Sequence, residues 1–224
     1  RSAVLMGIES LALDAEGEYT IVAESLGGIN VVLSPTSKTV INLFDIETEI
    51  VKDEITGKER ATLNVENKVE DVTQALLTMA RGSTRSEEVN ELTKQIIAES
   101  VAEEYQAINI NQDPASLFES SADFDSGNML ARRKKQMPTI GSWYKRIERK
   151  AKENDNSDYK FHYSYLLKVM KQYIREYDGQ MAYFDGQSTF ELLEGAPFIN
   201  LDISQLEERF ARPLAQQILL SWIW

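Results

Sequence analysis

The order of apolar and polar positions predicts an α/β segment at the start of the chain. Two short apolar runs, Ile8–Leu13 and Ile29–Leu33, are typical of buried strands. Between them, apolar residues at i, i+3, i+4 and i+7 mark one face of a helix: Tyr19, Val22, Ala23 and Leu26. Gly27-Gly28 is typical of a helix end. A strand, a helix and a strand in this order predict a parallel pair joined by a right-handed crossover.

The next segment is predicted to be extended. Ser34-Pro35-Thr36-Ser37 is typical of a loop, and Thr39–Phe44 follows it as a further extended piece. Glu49–Val65 contains two β-compatible runs around the turn-forming residues Thr56-Gly57-Lys58. This stretch is therefore expected to fold as a β-hairpin.

Two long helices are predicted after the hairpin. Asn67 and Glu70 fit the N-cap and acidic third position of the first helix, and Gly82 marks its end. Thr84 with Glu87 fits a capping box for the second helix, which is expected to run to about residue 108.

A polar connection and two further helices follow. Asn111–Pro138 exceeds the usual loop length, so this segment is expected to be either mobile or functional. Thr139 can cap a third helix, and Asn154–Asp158 interrupts it. The apolar face of this helix is predicted to consist of Ile140, Trp143, Tyr144 and Ile147. Tyr159–Tyr177 has the spacing of a fourth helix, which ends at Asp178-Gly179.

The end of the chain returns to an α/β pattern. Pro197–Asp202 resembles a strand, and Ser204–Glu207 fits a capping box for a last helix, which Pro213 is expected to kink or divide. The whole pattern predicts three parts. Residues 1–66 form the first part of an α/β core, residues 67–180 form an all-α insertion, and residues 181–224 return to the core.

Composition excludes several kinds of chemistry. The chain has 224 residues, 42% hydrophobic and 27% charged, which is typical of a soluble globular protein. With no cysteine and one histidine, His162, there is no disulfide framework, thiolate site or multi-histidine metal site. His162 stands alone, so it is interpreted as a packing or surface residue. The longest uncharged runs, Leu26–Ser37 and Pro213–Trp224, are too short to span a membrane.

The charge is unevenly distributed. The net charge is −12, and residues 1–112 carry 9 basic and 20 acidic residues, a net of −11. Residues 132–152 contain nine basic residues against a single acidic one: Arg132, Arg133, Lys134, Lys135, Lys145, Arg146, Arg149, Lys150 and Lys152. The favoured interpretation of this stretch is a solvated helix face and linker, and the alternative is contact with an acidic partner or with nucleic acid.

The segment most suggestive of catalysis or ligand binding is Asp14-Ala15-Glu16-Gly17-Glu18-Tyr19. Its three carboxylates, Asp14, Glu16 and Glu18, follow a predicted parallel strand at the start of a helix. Ligands bind at that edge of open α/β sheets, so a catalytic or ligand-binding role is one interpretation. Acidic residues also stabilise helix N-termini, so simple capping is the other.

The chain itself lacks a phosphate-binding loop. Its one Gly-Lys step, Gly57-Lys58, has no glycine five residues earlier and no hydroxyl residue after it, so it is a turn. No glycine-rich dinucleotide fingerprint is present either.

An ordered series of motifs resembles the ATPases of type IV secretion and conjugation, of the VirB-four, TrbE, TraC and ConE type. These belong to the HerA/FtsK-like group of P-loop motors. The family pattern Asp-Pro-Glu-x-Glu-Tyr is similar to the segment from Asp14 to Tyr19, and Ile-Asn-Pro-Phe-Asp-Ile is similar to Ile41–Ile46, with Leu43 in place of proline. The similarity continues through Phe184–Leu192 and Asn200–Leu206 to the last helix.

The resemblance implies a partial RecA-like parallel-sheet core with a large all-α insertion. It also implies that the P-loop precedes residue 1 and that the Walker B strand follows Trp224. ATP and Mg²⁺ would then be used by the complete protein, with tight binding to this segment alone not expected. By position, Asp14, Glu16 and Glu18 would lie near the γ-phosphate. Glu18 would orient the attacking water or an arginine from a neighbouring subunit.

The resemblance also implies partners and a location. A complete protein would form a homo-oligomeric ring in the cytoplasm, at the inner face of the bacterial membrane, and would bind other secretion components. DNA contact would involve Arg132, Arg133, Lys134 and Lys135. The alternative function is a non-catalytic helical module that mediates protein–protein contacts in the same machinery.

Overall fold

A three-stranded parallel sheet anchors the fold. The computed structural model describes residues 10–52, 57–82, 89–119, 133–190 and 196–223. Within them, β1 (Ser10–Asp14), β2 (Ile29–Val32) and β5 (Phe198–Asp202) are parallel, in the order β1–β5–β2. This arrangement confirms the predicted α/β class with a partial RecA-like core. It corrects the expected direct pairing of the first two strands, because β5 lies between them.

Strand β5 is the central strand of the sheet. All five of its residues are buried, as expected for a strand that has neighbours on both sides. Gly28 precedes β2, and a Cβ atom there would lie 2.2 Å from the carbonyl oxygen of Phe198. Only glycine permits this approach, so the Gly27-Gly28 step that ends the first helix also allows β2 to pair with β5.

The two faces of the sheet differ in polarity. Because side chains alternate along a strand, Val31 and Leu201 share one face and belong to the main apolar core. The opposite face carries Asn30 beside Asn200, and one step further Asp14 beside Asp202. The short helix α1 (Thr20–Ser25) packs against β2 and β5.

The predicted hairpin is confirmed. Strands β3 (Glu49–Lys52) and β4 (Glu59–Thr62) pair in antiparallel register. Thr56 of the expected turn lies outside the described residues, but Gly57 has a φ of 67°, the left-handed conformation that the turn requires.

Helices pack against one another and against the sheet to form a continuous apolar core. The longer helices are α2 (Val65–Arg81), α3 (Glu91–Ala107), α4 (Ile140–Glu153), α5 (Ser157–Val169) and α6 (Ala211–Ile223). Short 3₁₀ turns cover Pro114–Leu117, Met170–Tyr173, Arg175–Tyr177 and Ala182–Phe184. Helix α2 contacts both α3 and α6, and α4 contacts both α3 and α5. No helix in the described ranges is long and apolar enough to cross a membrane.

Several helix starts differ from the sequence-based prediction. The N-cap of helix α2 is Asn64, three residues before the expected cap, because the Asn64 side chain accepts a hydrogen bond from the Asn67 N–H. The predicted Thr84–Glu87 capping box lies outside the described residues. Helix α3 instead begins after Asn90, which forms a capping box with Thr93.

The last helix starts later than predicted, at Ala211. The Glu207 carboxylate accepts hydrogen bonds from the backbone N–H groups of Arg209, Phe210 and Ala211, just before and at the start of α6. It therefore does not form the expected capping box with Ser204. Pro213 consequently lies in the first turn of α6. A proline there costs no helical hydrogen bond, so the physical reason for the expected kink or division does not apply.

Helix α4 was predicted closely. Thr139 forms the expected N-cap, with Ser142 as its partner in a capping box. The predicted apolar face is fully buried: Ile140, Trp143, Tyr144 and Ile147. The Trp143 indole donates a hydrogen bond to Ser100 Oγ at 2.7 Å, which satisfies its only polar group.

His162 is a packing residue in this fold. It is buried on α5, and its Nδ1 lies 2.9 Å from the hydroxyl of Thr93 at the start of α3. The ring therefore links two helices of the core.

Candidate functional site at the carboxyl edge of the sheet

Asp14 organises the loop that carries the acidic residues. Its Oδ1 accepts the backbone N–H groups of Glu16, Gly17 and Glu18 at 3.1, 2.8 and 3.3 Å, and its Oδ2 accepts that of Tyr19 at 2.9 Å. The carboxylate is buried at the end of β1. Four donors therefore converge on one anion at the point where the chain turns from strand to helix.

The electrostatic environment keeps this carboxylate charged. Burial on its own raises the pKa of Asp14, but the four backbone N–H donors more than offset it and hold that pKa below its ordinary value. The Asn200 side chain adds a longer contact, 3.4 Å from Nδ2 to Asp14 Oδ2. Because its oxygens are already occupied, Asp14 shapes the loop rather than offering a free base.

Glu16 faces a cation from the last helix. Arg212 is largely buried and its Nη1 lies 3.5 Å from Glu16 Oε1, whereas the Glu16 side chain is 76% exposed. Arg212 also donates to the carbonyl oxygen of Ser204 at 2.8 Å. The guanidinium thus lies between the acidic loop and the segment that follows β5.

The loop is held close to that segment by its backbone. The Ile203 N–H donates to the Asp14 carbonyl oxygen at 2.9 Å. Gly17 has a φ of 76°, and a Cβ atom there would lie 2.9 Å from Ser204 Oγ. Gly17 is therefore required both by the backbone conformation and by the space available.

Glu18 is the carboxylate that remains available. It is exposed, and its side chain has no hydrogen bond or ion pair to any residue in the described ranges. The structure thus separates the three predicted residues: Asp14 is structural, Glu16 is paired, and Glu18 projects from the carboxyl edge of the sheet.

Two asparagines on the polar face were not singled out from the sequence. Asn200 is fully buried and donates to Asn30 Oδ1 at 2.7 Å. Its own Oδ1 has no partner among the described residues. The sequence did contain a signal for this pair, because Asn200 is a polar residue inside the apolar run Pro197–Asp202. A buried asparagine in a central strand usually has a specific hydrogen-bond partner.

In the described ranges, four of the nine basic residues of this stretch pair with carboxylates. Lys134 pairs with Glu47, and Lys145 pairs with Glu176. Arg146 and Lys150 pair with carboxylates of α3, and Lys135 donates to the Ile108 carbonyl oxygen. Arg132 lies outside the described residues, while Arg133, Arg149 and Lys152 are exposed.

Metal-binding groups are not assembled in this site. Among the described residues, no cluster of three or more His, Cys, Asp or Glu side chains could hold a metal ion. The site offers an exposed carboxylate on a rigid loop, which is suited to orienting a water molecule or a cationic side chain rather than to binding a metal on its own.

The arrangement is that of a partial α/β core: a three-stranded parallel sheet with polar loops at its carboxyl edge. The fold matches a solved structure, that of VirB4 of Thermoanaerobacter pseudethanolicus, with a TM-score of 0.64. The match covers 100% of this chain and 70% of that chain, at 18% sequence identity. No protein-family model matches the chain, and no curated protein matches it. The similarity therefore establishes the fold.

Proposed function

We propose that this chain is part of a cytoplasmic motor ATPase that energises type IV secretion or conjugative transfer. The observation that carries this proposal is the likeness to VirB4 over the full chain, combined with the acidic loop at the carboxyl edge of the sheet. Residues 1–66 and 181–224 would contribute to the ATPase core, and residues 67–180 would form a helical insertion that contacts other secretion components or neighbouring subunits of a ring.

ATP and Mg²⁺ are cofactors of the complete protein in this proposal. The described residues do not fit them alone, because the loop offers carboxylates to a polyanion and no cluster of metal ligands is present. A triphosphate needs a lysine or backbone N–H cradle, which the sequence of this chain lacks. The phosphate contacts are therefore assigned to other parts of the complete protein.

Glu18 is the residue proposed to act in the reaction. Asp14 is occupied by backbone donors and Glu16 faces Arg212, so Glu18 alone has a free carboxylate among the three. In the complete protein, the substitution Glu18→Gln is expected to lower ATP turnover about 100-fold, because the amide cannot accept a proton or hold a cation in the same way. Steady-state phosphate release measures the effect.

The matched control is Glu24→Gln, which removes the same charge from the exposed surface of α1. It should leave turnover within about twofold of the unsubstituted protein, and the isolated 224-residue chain should show no turnover. Unchanged ATP hydrolysis in the Glu18→Gln protein would contradict the assignment of Glu18 to the reaction. It would then favour the alternative function, a non-catalytic helical module for protein–protein contacts.

DNA contact through residues 132–135 is a separate proposal, for which Arg133 provides an exposed cation. Reversing the charge of Arg132, Arg133, Lys134 and Lys135 to glutamate in the complete protein is expected to weaken DNA binding about tenfold at low salt and to flatten its salt dependence. Binding measured by fluorescence anisotropy at several salt concentrations provides the test. An unchanged affinity and salt slope would exclude this segment from the DNA contact.

A further inference from the structure

A charged groove lies between the first turn of α2 and the last turn of α6. Residues 45–49 form its third side, and its volume is about 420 Å³. Its charged lining residues are four carboxylates and one ammonium group: Asp45, Glu47, Glu49, Asp71 and Lys68. None of the residues that line the groove belongs to the acidic loop from Asp14 to Tyr19, so the role proposed for Glu18 does not account for it.

Lys68 is an unpartnered cation in the wall of this groove. The residue is only 7% exposed, and its ammonium group makes no hydrogen bond or ion pair with any described residue. Burial lowers the pKa of Lys68, although Asp71, Asp45 and Glu47 act in the opposite direction. Most of the side chain is buried and the residue lines the groove, so its ammonium group is available to donate to an acceptor that a ligand supplies.

Asp45 and Trp222 form one wall of the groove. Burial raises the pKa of Asp45, and hydrogen bonds from Ser188 and Trp222 partly offset the increase. The Trp222 ring is partly exposed and also packs near Phe190, at 6.2 Å between ring centroids. This wall therefore combines a carboxyl group with an aromatic surface, the pair of groups that holds a cation well.

The opposite wall adds negative charge. Asp71 is exposed and accepts a hydrogen bond from Ser221 Oγ at 2.9 Å, so it is fixed at the end of α6. No basic residue lies in the last turn of α6, which leaves the negative end of its helix dipole uncompensated by its own side chains. Glu47 is already paired with Lys134, whereas Glu49 is exposed beside the groove.

We propose that this groove binds a lysine or arginine side chain of a partner polypeptide. The cation would lie between Asp71, Glu49 and the Trp222 ring, and a main-chain carbonyl of the same segment would accept a hydrogen bond from Lys68. An anionic ligand is disfavoured, because four carboxylates face one ammonium group in the lining. The net charge of −12 for the chain also favours a basic partner.

The test uses a capped hexapeptide of alternating arginine and glycine, titrated into the 224-residue chain at low salt and followed by intrinsic tryptophan fluorescence, to which Trp222 in the groove contributes. Asp71→Asn combined with Glu49→Gln is expected to weaken binding about tenfold. The asparagine keeps an acceptor for Ser221, so the end of α6 remains in place. Glu24→Gln combined with Glu153→Gln removes the same charge from exposed sites elsewhere and should change the affinity less than about twofold.

A second variant separates the two contacts. Lys68→Met is expected to weaken the peptide about fivefold, because the donor to its main chain is lost. The same variant should not weaken the binding of ethylguanidine, which presents a cation but no carbonyl group. If the double variant in the groove and the control double variant, Glu24→Gln with Glu153→Gln, weaken peptide binding equally, the peptide is only attracted to an acidic protein in general. That result would overturn the proposal. Preferential binding of hexaglutamate or inorganic phosphate would overturn it as well.

Discussion

Replacing Arg146 with methionine is expected to lower the free energy of unfolding by about 3–5 kcal/mol. Arg146 on α4 donates from Nε to the Glu104 carboxylate of α3, and the two side chains are 14% and 9% exposed. Glu104 also accepts a hydrogen bond from Ser142 Oγ at 2.7 Å. Methionine would fill much of the space but would leave Glu104 as a buried charge without its cation. Chemical unfolding of the 224-residue chain, followed by circular dichroism, measures the loss.

The neighbouring ion pair on the same helix provides the matched control. Lys145 pairs with Glu176 at 2.6 Å, but both side chains are more than half exposed. Lys145→Met should therefore cost less than about 1 kcal/mol, since water screens exposed pairs. The double substitution Glu104→Leu with Arg146→Met should recover much of the stability, because no charge remains buried. A double variant as unstable as Arg146→Met alone would show that packing, not the unpaired charge, explains the loss.

Local patterns predicted most of the elements but not their long-range partners. The cap and apolar face of α4 were predictable because Thr139 and the residues that follow it are close in sequence. The start of α6 was not, since Glu207 fits a capping box with Ser204 equally well in sequence. The position of β5 between β1 and β2 depends on contacts across more than 160 residues, which no local pattern contains.

The candidate site was predictable only in part for the same reason. The position of Asp14 after a strand predicted its place at the sheet edge, and both capping and chemistry remained open. The separate roles of Glu16 and Glu18 depend on Arg212, which is almost 200 residues away in the chain. Likewise, the run of basic residues suggested a positive surface. Carboxylates on α3 and Glu47 offset much of it, and sequence proximity does not reveal such pairs.

Replacing Asp14 with alanine is expected to destabilise the chain by about 2–4 kcal/mol. The substitution removes the acceptor of four backbone N–H groups, from Glu16 to Tyr19, and opens the turn that leads into α1. Because the loop is partly exposed, water would replace some of these hydrogen bonds. The loss of stability should therefore be smaller than the sum for four buried hydrogen bonds. Asp14→Asn should cost about half as much, because the amide oxygen can still accept from the three donors at Oδ1.

The pH dependence of unfolding distinguishes a charged acceptor from a neutral one. The pKa of Asp14 is lowered in the folded protein, so its contribution to stability is fully present above the ordinary value of 3.8 and is lost as pH falls through the lower, folded-state pKa. Asp14→Asn should therefore show a shallower loss of stability below about pH 4 than the unsubstituted chain.

Asp113→Ala is the control for the Asp14→Ala substitution. Asp113 accepts one backbone N–H among the described residues, that of Ala115, so the loss of its side chain should cost about 1 kcal/mol. If Asp14→Asn and the unsubstituted chain lose stability in parallel at acid pH, the loop does not depend on the charge of Asp14, and the carboxylate would again be a candidate for chemistry.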